Sequence, residues 1–150
     1  MSLQIQREAT SDALWAEAMP IIEAGFREFD PHIELGLDLN RQTYDALEAA
    51  GALRVYTARR SGELLGYVAL IVGASPHRRA VKQATQDAIH VKPEHRGQVT
   101  AALIRHAERE MRDEGVKLLY HSCPMGSRLG RLLEILGYQP IGQTHAKLLK

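Results

Sequence analysis

Apolar side chains recur along this chain with two spacings, one typical of strands and the other of helices. Leu3 and Ile5 alternate with polar residues and predict a first strand. From Leu14 to Phe29 the apolar residues stand three or four positions apart and predict a helix, in which Pro20 should cause a kink or a restart. The chain is therefore expected to begin with a strand and a helix.

A short helix and a pair of strands are predicted next. Asn40 can cap a helix that stops at Gly51. Two strand-like runs follow at 53–59 and 63–72. The turn residues 60–62, Arg-Ser-Gly, join them and predict a hairpin. The second run is apolar almost throughout, which is typical of a central strand.

The next strand and helix are predicted on either side of Pro93. We expect residues 73–82 to form a loop and residues 83–91 to form a strand, which Pro93 ends because proline has no N–H to donate to a ladder. A helix follows and ends at Gly115. Its apolar stripe is the clearest in the sequence and consists of Val99 or Thr100, Leu103 or Ile104, Ala107 and Met111.

The last third of the chain predicts three further elements. Residues 116–121 have the pattern of a strand, residues 127–136 that of a helix, and residues 138–149 that of a closing strand or strand pair. The order is then β-α-α-β-β-β-α-β-α-β(β). It predicts an α/β fold (of the α+β, mixed-sheet type) with a central mixed sheet and helices on both faces.

Length, charge and cysteine content narrow the class of protein. One hundred and fifty residues, 45% hydrophobic and 25% charged, suit a single domain over residues 1–150. A net charge of +1 argues against a dedicated nucleic-acid binder. With no apolar leader, no run long enough to span a bilayer and only Cys123 as a thiol, we expect a cytoplasmic protein that does not act at a membrane. No Cys/His spacing resembles a metal site.

The segment from Asp87 to Met111 is the most informative in the chain. It joins an apolar strand to an amphipathic helix through a basic loop around Arg96 and Gly97. The N-terminus of a helix presents backbone N–H groups without intrahelical partners and the positive end of the helix dipole. The segment therefore predicts an anion site, and a phosphate group is the ligand that this arrangement suits best.

These elements and motifs resemble the GNAT superfamily of acyl-CoA-dependent N-acetyltransferases over nearly the whole chain. The resemblance rests on the element order and on the string VKPEHRG followed by LIRHAERE. SPH at 75–77, DAIHV at 87–91, PEHRG at 93–97 and LLEILGYQP at 132–140 are similar to small phage- and prophage-type members. The resemblance implies acetyl-CoA as the cofactor, an amine as the acceptor and, as in many members, a homodimer.

The resemblance also implies where the cofactor binds. Its pantetheine arm would pair with the strand at Ile89, His90 and Val91. Its pyrophosphate would lie on the loop and the first helical turn. That loop departs from the family pattern, because Val99 stands where the first glycine of a pair is usual and the run is one residue short. The residues concerned are Arg96, Gly97, Gln98, Val99, Thr100 and Ala101.

The chemistry of amine acetylation points to Asp87. An alkylamine with a pKa of about 10.4 is almost fully protonated at neutral pH, so a base assists the reaction. Asp87 matches the position of a glutamate in polyamine-type members, and strict alternation would put it on the strand face of Ile89 and Val91. A structural carboxylate is the alternative role. His90 would point to the opposite face and could relay a proton, or be a core or solvated histidine.

Two more groups of residues complete the predicted site. Where members of the superfamily carry a tyrosine that protonates the leaving thiolate, this chain has Leu133, so His121 and Ser122 are the candidate substitutes. Cys123 is better explained as an inert thiol. The acceptor pocket is expected at Phe26, Phe29 and His32, although the two phenylalanines also fit a helix core stripe.

Three functional hypotheses follow from these residues. The first is an N-acetyltransferase that modifies a primary amine of a small molecule, peptide or protein by direct attack in a ternary complex. The second is a non-catalytic module of the same fold that binds acyl-CoA or a protein partner, as the altered loop and the missing tyrosine suggest. The third, a nucleic-acid-associated factor, has only the basic residues of the 77–82 loop in its favour.

Overall fold

Five strands and four helices make up the fold in the computed structural model, which describes residues 2–149. The strands are β1 (Leu3–Arg7), β2 (Leu53–Arg60), β3 (Glu63–Ser75), β4 (Arg78–Val91) and β5 (Leu118–Tyr120). The helices are α1 (Asp12–Phe29), α2 (Arg41–Ala49), α3 (Gln98–Asp113) and α4 (Arg128–Ile135). Two short 3-10 turns lie at Ile33–Leu35 and Pro93–His95.

The sheet is mixed and its strands lie in chain order, β1-β2-β3-β4-β5. The first four strands are antiparallel to their neighbours, and β5 runs parallel to β4. A parallel neighbour requires a crossover connection, and here α3 provides it. The predicted α/β class with a central mixed sheet is confirmed.

Two apolar clusters pack on opposite faces of the sheet. One contains the stripe of α3, from Val99 to Met111, against Tyr56, Leu70 and their neighbours. The other contains the buried side of α1, from Leu14 to Ile22, with residues of α2 at its margin. The six residues named for the third helix are all buried in α3, so that part of the prediction is confirmed.

Local sequence signals account for most of the element boundaries. Ser11 Oγ accepts the N–H of Leu14 at the start of α1, and Asn40 Oδ1 accepts the N–H of Thr43 at the start of α2. The expected restart at Pro20 does not occur, since α1 continues through it as one helix of 18 residues. Pro20 is exposed, while Ile21 is buried in the second apolar cluster, so packing holds the helix together across the missing hydrogen bond.

Two predicted boundaries are wrong. Residues 73–82 do not form a loop: β3 and β4 continue to Ser75 and Arg78 as a long hairpin. The closing strand expected at 138–149 is absent from the described residues, where that segment has no regular structure and Ile141 is 78% exposed. Its apolar residues are sparse, and Pro140 lacks the N–H that a ladder needs. Within residues 2–149, no helix combines the length and hydropathy of a bilayer span.

Candidate active site

A cleft of about 950 Å³ runs along β4, between the end of α1, the start of α3 and the segment from 122 to 132. It connects the three regions that the sequence predicts for phosphate, thioester and acceptor. Ten of the predicted site residues line it: Phe26, Phe29, Asp87, Ile89, His90, Val91, Arg96, Gly97, Thr100 and Ser122. Ser122 belongs to the segment from 122 to 132.

The edge of β4 that faces β5 is open along the cleft. The two strands pair only where Gln83–Thr85 meets Leu118–Tyr120. Beyond that point the residues from Gln86 to Val91 line the cleft. An extended chain can add to such an edge through backbone hydrogen bonds, so this geometry suits the pantetheine arm of coenzyme A.

The start of α3 presents the N–H groups of an anion site. Gly97 precedes the helix with a φ of +89°, a left-handed conformation that favours glycine, and no side chain caps the helix. The first helical bond joins the N–H of Ala101 to the carbonyl of Gly97 at 2.9 Å. The N–H groups of Gln98, Val99 and Thr100 precede that bond and are suited to a phosphate.

Val99 does not obstruct this site as the family pattern suggests. Its side chain is 1% exposed and lies in the apolar cluster beneath α3. The left-handed backbone position is at Gly97, two residues earlier. The loop is shorter by one residue because α3 begins directly at Gln98. Gln98, Val99 and Ala101 do not line the cleft with their side chains, so only their backbone could serve a phosphate.

At the phosphate end of the cleft, the side chain of Arg96 contacts the last turn of α1. Its guanidinium donates to both carboxylate oxygens of Glu28, at 2.9 and 2.7 Å, and its Nε donates to the carbonyl of Val91 at 3.2 Å. The guanidinium also lies 5.2 Å from the ring centroid of Phe29. The ion pair holds the pKa of Glu28 below its usual value.

Asp87 lies at a β-bulge in β4. Ala88 is paired with Ala69 and Gln86 with Leu70, so Asp87 is the additional residue. Strict alternation would place it with Ile89 and Val91, but the bulge turns it to the face of α1 and α2. There the hydroxyl of Tyr44 donates to Asp87 Oδ2 at 2.7 Å. The expected face was wrong because strict alternation cannot anticipate an inserted residue.

His90 lies on the same side, packed between aromatic rings. Its ring centroid is 6.1 Å from that of Phe26 and 5.8 Å from that of Tyr67. A Cβ at Gly25 would lie 2.3 Å from His90 Nδ1, so glycine at this position of α1 makes room for the imidazole. Burial lowers the pKa of His90, and the nearby Arg96 lowers it further. The neutral imidazole is therefore part of the cleft wall at neutral pH.

Two predicted site residues lie away from the cleft. His121 is not among its lining residues; its Nδ1 is 2.7 Å from Gln86 Oε1 and its ring packs edge-on against Tyr138 at 5.1 Å. Burial lowers its pKa to about 4. His32, outside the cleft as well, lies 3.8 Å from Glu34. Sequence position alone misplaced both: His121 is adjacent to Ser122 and His32 is two residues from Asp30, which both line the cleft, but neither histidine lines it.

The side of the cleft opposite β4 carries few proton donors. Leu133, at the position of the family tyrosine, is 6% exposed, and the hydroxyl of Tyr138 donates to Glu108 at 3.0 Å. Ser122, Ser127 and Arg128 line this side. Among residues 2–149, no group of three or more His, Cys, Asp or Glu side chains could hold a metal ion.

Sequence reasoning missed three aromatic residues of the site. Tyr44 on α2 and Tyr67 on β3 both line the cleft, and Trp15 on α1 packs edge-on against Tyr44 at 5.4 Å. Each is far from Asp87 along the chain. Their spacing within their own elements is what any core-facing residue would show, so no local signal distinguishes them.

The sequence model of the acetyltransferase (GNAT) family matches residues 15–128, which include all the residues that line the cleft except Leu129 and Leu132. The chain belongs to the GNAT acetyltransferase family. The elements that build the cleft are therefore those that this family shares, and the resemblance to the family is confirmed. No curated protein matches this GNAT chain at a significant level of sequence similarity.

Solved structures share the fold of this GNAT protein at low sequence identity. A ribosomal-protein-alanine N-acetyltransferase from Brucella melitensis biovar Abortus 2308 is 20% identical with a TM-score of 0.71, covering 99% of this chain and 100% of that one. An aminoglycoside acetyltransferase from an uncultured soil metagenomic sample, in complex with sisomicin, is 14% identical with a TM-score of 0.74. It covers 98% of this chain and 97% of its own. A predicted acetyltransferase from Clostridium acetobutylicum, with acetyl-CoA, is 11% identical with a TM-score of 0.72, covering 98% of this chain and 96% of that one.

Proposed function

We propose that this protein transfers the acetyl group of acetyl-CoA to a primary amine by direct attack in a ternary complex. The observation that carries the proposal is the continuity of the cleft. One open channel joins the N-terminus of α3, the open edge of β4 and the carboxylate of Asp87. This order matches a ligand with a pyrophosphate at one end and a reactive thioester at the other.

The residues of the cleft fit acetyl-CoA in two respects. The uncapped first turn of α3 would hold the pyrophosphate through the backbone of Gly97, Gln98, Val99 and Thr100, with Arg96 beside it. The open edge from Ile89 to Val91 would pair with the pantetheine amides. When bound, acetyl-CoA supplies a thioester carbonyl that an amine can attack, with coenzyme A as the leaving thiol.

We assign binding and deprotonation of the amine to Asp87. Its carboxylate would bind the incoming ammonium and accept the proton that the nitrogen must lose, directly or through a water molecule. The new C–N bond then forms as the C–S bond breaks. The hydroxyl of Tyr44 holds the carboxylate in place at 2.7 Å, which leaves the second oxygen of Asp87 for the amine.

The leaving thiolate requires less assistance. A thiol has a pKa of about 8.5, close to neutrality, so loss of an acid on this side costs less than loss of the amine base. Ser122 lines the cleft and is the hydroxyl that we assign to the thiolate. His121, buried outside the cleft, would act on it only through Gln86, whose amide donates to the carbonyl of Ser122 at 3.2 Å.

Related features of the molecule stay predictions. We place the protein in the cytoplasm, where a reducing environment would keep the exposed Cys123 a free thiol. We also assign residues 1–150 to a single domain. A homodimer and a relation to the phage-type members are expected from the resemblance. Phe26, which lines the cleft beside His90, is assigned to the acceptor side. Phe29, also predicted for that side, lies beside Arg96 at the phosphate end of the cleft.

Calorimetric titration with acetyl-CoA, followed by thiol release with a panel of amines, tests the function. We expect micromolar binding that Arg96→Glu abolishes, and release of free thiol with at least one class of amine. Arg27→Glu, an exposed arginine of α1 outside the cleft, is the matched control. Absence of binding at millimolar acetyl-CoA would overturn the proposal. Binding without thiol release across the panel would favour the non-catalytic module.

A further inference from the structure

A small apolar pocket continues the cleft beyond Asp87. Its volume is about 50 Å³, room for about three to five groups the size of a water molecule or a methylene. Asp87, Tyr44 and Tyr67 line both the pocket and the cleft, so the two cavities adjoin at these residues. The pocket lies at the end of the cleft opposite to Arg96. An acceptor bound there would be on the Asp87 side of the thioester.

The walls of this pocket carry no charge apart from Asp87 at its mouth. They consist mainly of side chains of the second apolar cluster, among them Leu14, Ala18, Leu53 and Ala69. The hydroxyl of Thr10, also in the lining, already donates to Glu48. A second cation placed here would lose its hydration and find no second carboxylate among the lining residues, which is unfavourable.

Trp15 contributes an apolar part of the pocket wall. Its indole lines the pocket, and within residues 2–149 its buried Nε1 has no hydrogen-bond partner. Because this nitrogen has almost no accessible surface, a ligand in the pocket would contact the carbon atoms of the indole.

Resting on the proposed function, we infer that the acceptor is a small monoamine whose ammonium binds Asp87 and whose uncharged apolar tail of about three to five heavy atoms fills the pocket beside Trp15. Diamines and polyamines are excluded by the second charge. Bulky polycationic amines are excluded by the size of the pocket as well. The pocket thus sets the acceptor class, while the larger cleft holds the cofactor.

Two readouts test this acceptor class, and the first does not depend on turnover. Trp15 is the only tryptophan of the chain, so its fluorescence reports occupancy of the pocket directly. With saturating coenzyme A, which cannot react, butylamine should change the emission in a saturable way and 1,4-diaminobutane should not. With acetyl-CoA, kcat/KM should rise about fourfold per methylene from methylamine to butylamine, then level off or fall. The diamine should be at least tenfold poorer than butylamine.

Ala69→Val fills the pocket from β3 and should shift the best tail length down by about one methylene, with the KM for acetyl-CoA changed less than twofold. Ala18→Val fills it from α1 and serves if the first variant does not fold. Ala58→Val is the matched control, because Ala58 is equally buried but lies in the cluster on the opposite face of the sheet.

The outcomes separate the inference from the proposed function. Thiol release that is fastest with the diamine, or a length optimum unchanged in both filling variants, would overturn the acceptor class and leave acetyl transfer intact. Saturable fluorescence changes with monoamines but no thiol release would contradict acetyl transfer and support the pocket's ligand class. An emission unaltered by any monoamine would overturn the inference.

Discussion

The side chains of Asp87 and Tyr44 link the acceptor end of the cleft to a second element. Asp87 belongs to the bulge in β4 and Tyr44 to α2, 43 residues apart in the chain. Burial and the carboxylate both raise the pKa of Tyr44, so its hydroxyl stays protonated and donates throughout the physiological range. Tyr44 is thus a positioning residue, and Asp87 is the group that we expect to touch the amine.

Asp87→Asn should lower kcat/KM about 100-fold or more at neutral pH, because a positioned base contributes this much to proton transfer. The loss should shrink as the pH approaches the pKa of the amine, where less help is needed. Tyr44→Phe should cost about tenfold without changing the shape of the pH profile. Rates with the best amine between pH 6.5 and 10 measure both, with the Kd of acetyl-CoA as the control. An Asp87→Asn profile parallel to that of the wild type would remove the base role.

At the scale of elements, α1 and the start of α3 are tied together across the phosphate end of the cleft. Arg96 makes a two-pronged ion pair with Glu28 at the last turn of α1, beside the ring of Phe29. The same guanidinium is the side chain best placed to meet a pyrophosphate. If Arg96 binds the pyrophosphate as proposed, Glu28 competes for the same guanidinium, and we expect part of this ion pair to open on binding.

Glu28→Gln should tighten binding of coenzyme A about two- to fivefold, the range that a largely exposed ion pair can account for. Calorimetry at low ionic strength measures the effect, which added salt should reduce because salt screens exposed charges. Glu23→Gln changes an exposed glutamate of the same helix outside the cleft and should leave the affinity unaltered. Weaker binding in Glu28→Gln would show instead that Glu28 orients Arg96 for the ligand.

Elements with a strong local pattern could be predicted from the sequence, and those held by distant partners could not. Residues close together in the sequence determine the apolar stripe of α3, the caps at Asn40 and Ser11, and the turn at Ser61-Gly62. The bulge at Asp87 arises from the pairing of β4 with β3, which no local pattern contains. The pocket beside Trp15 similarly needs α1, α2, β2 and β3 to be assembled before it exists.

For the molecule as a whole, local sequence patterns predict the backbone of the candidate site better than the orientation of its side chains. The proposed phosphate loop could be predicted because a strand, a glycine and a helix N-terminus follow one another in the sequence. Ser122 and His121 are adjacent as well, yet one lines the cleft and the other is buried against Tyr138. Which of two neighbouring side chains faces a cleft depends on packing, which adjacent positions in a sequence do not reveal.

Burial of His121 also affects the stability of the whole fold. The pKa of this imidazole is lowered from 6.5 to about 4 by burial, against the opposing charge of Glu108. Between these two values the unfolded chain binds a proton at His121 and the folded chain does not. The free energy of unfolding should therefore fall as the pH drops from about 6.5 to 4, and change no further through this group below pH 4.

The loss attributable to His121 should reach about 3 kcal/mol at pH 4, from the size of the shift. Urea unfolding at several pH values from 4 to 7.5 measures it. His121→Phe keeps an aromatic ring against Tyr138 and removes the titrating group, so its stability should depend less on pH by about one proton over this window. His77→Gln, at an exposed position in the β3–β4 turn, should retain the full dependence of the wild type. If His121→Phe and the wild type lose stability in parallel, the imidazole does not hold its neutral form in the fold, and acid sensitivity then rests on other groups such as His90, whose pKa burial also lowers.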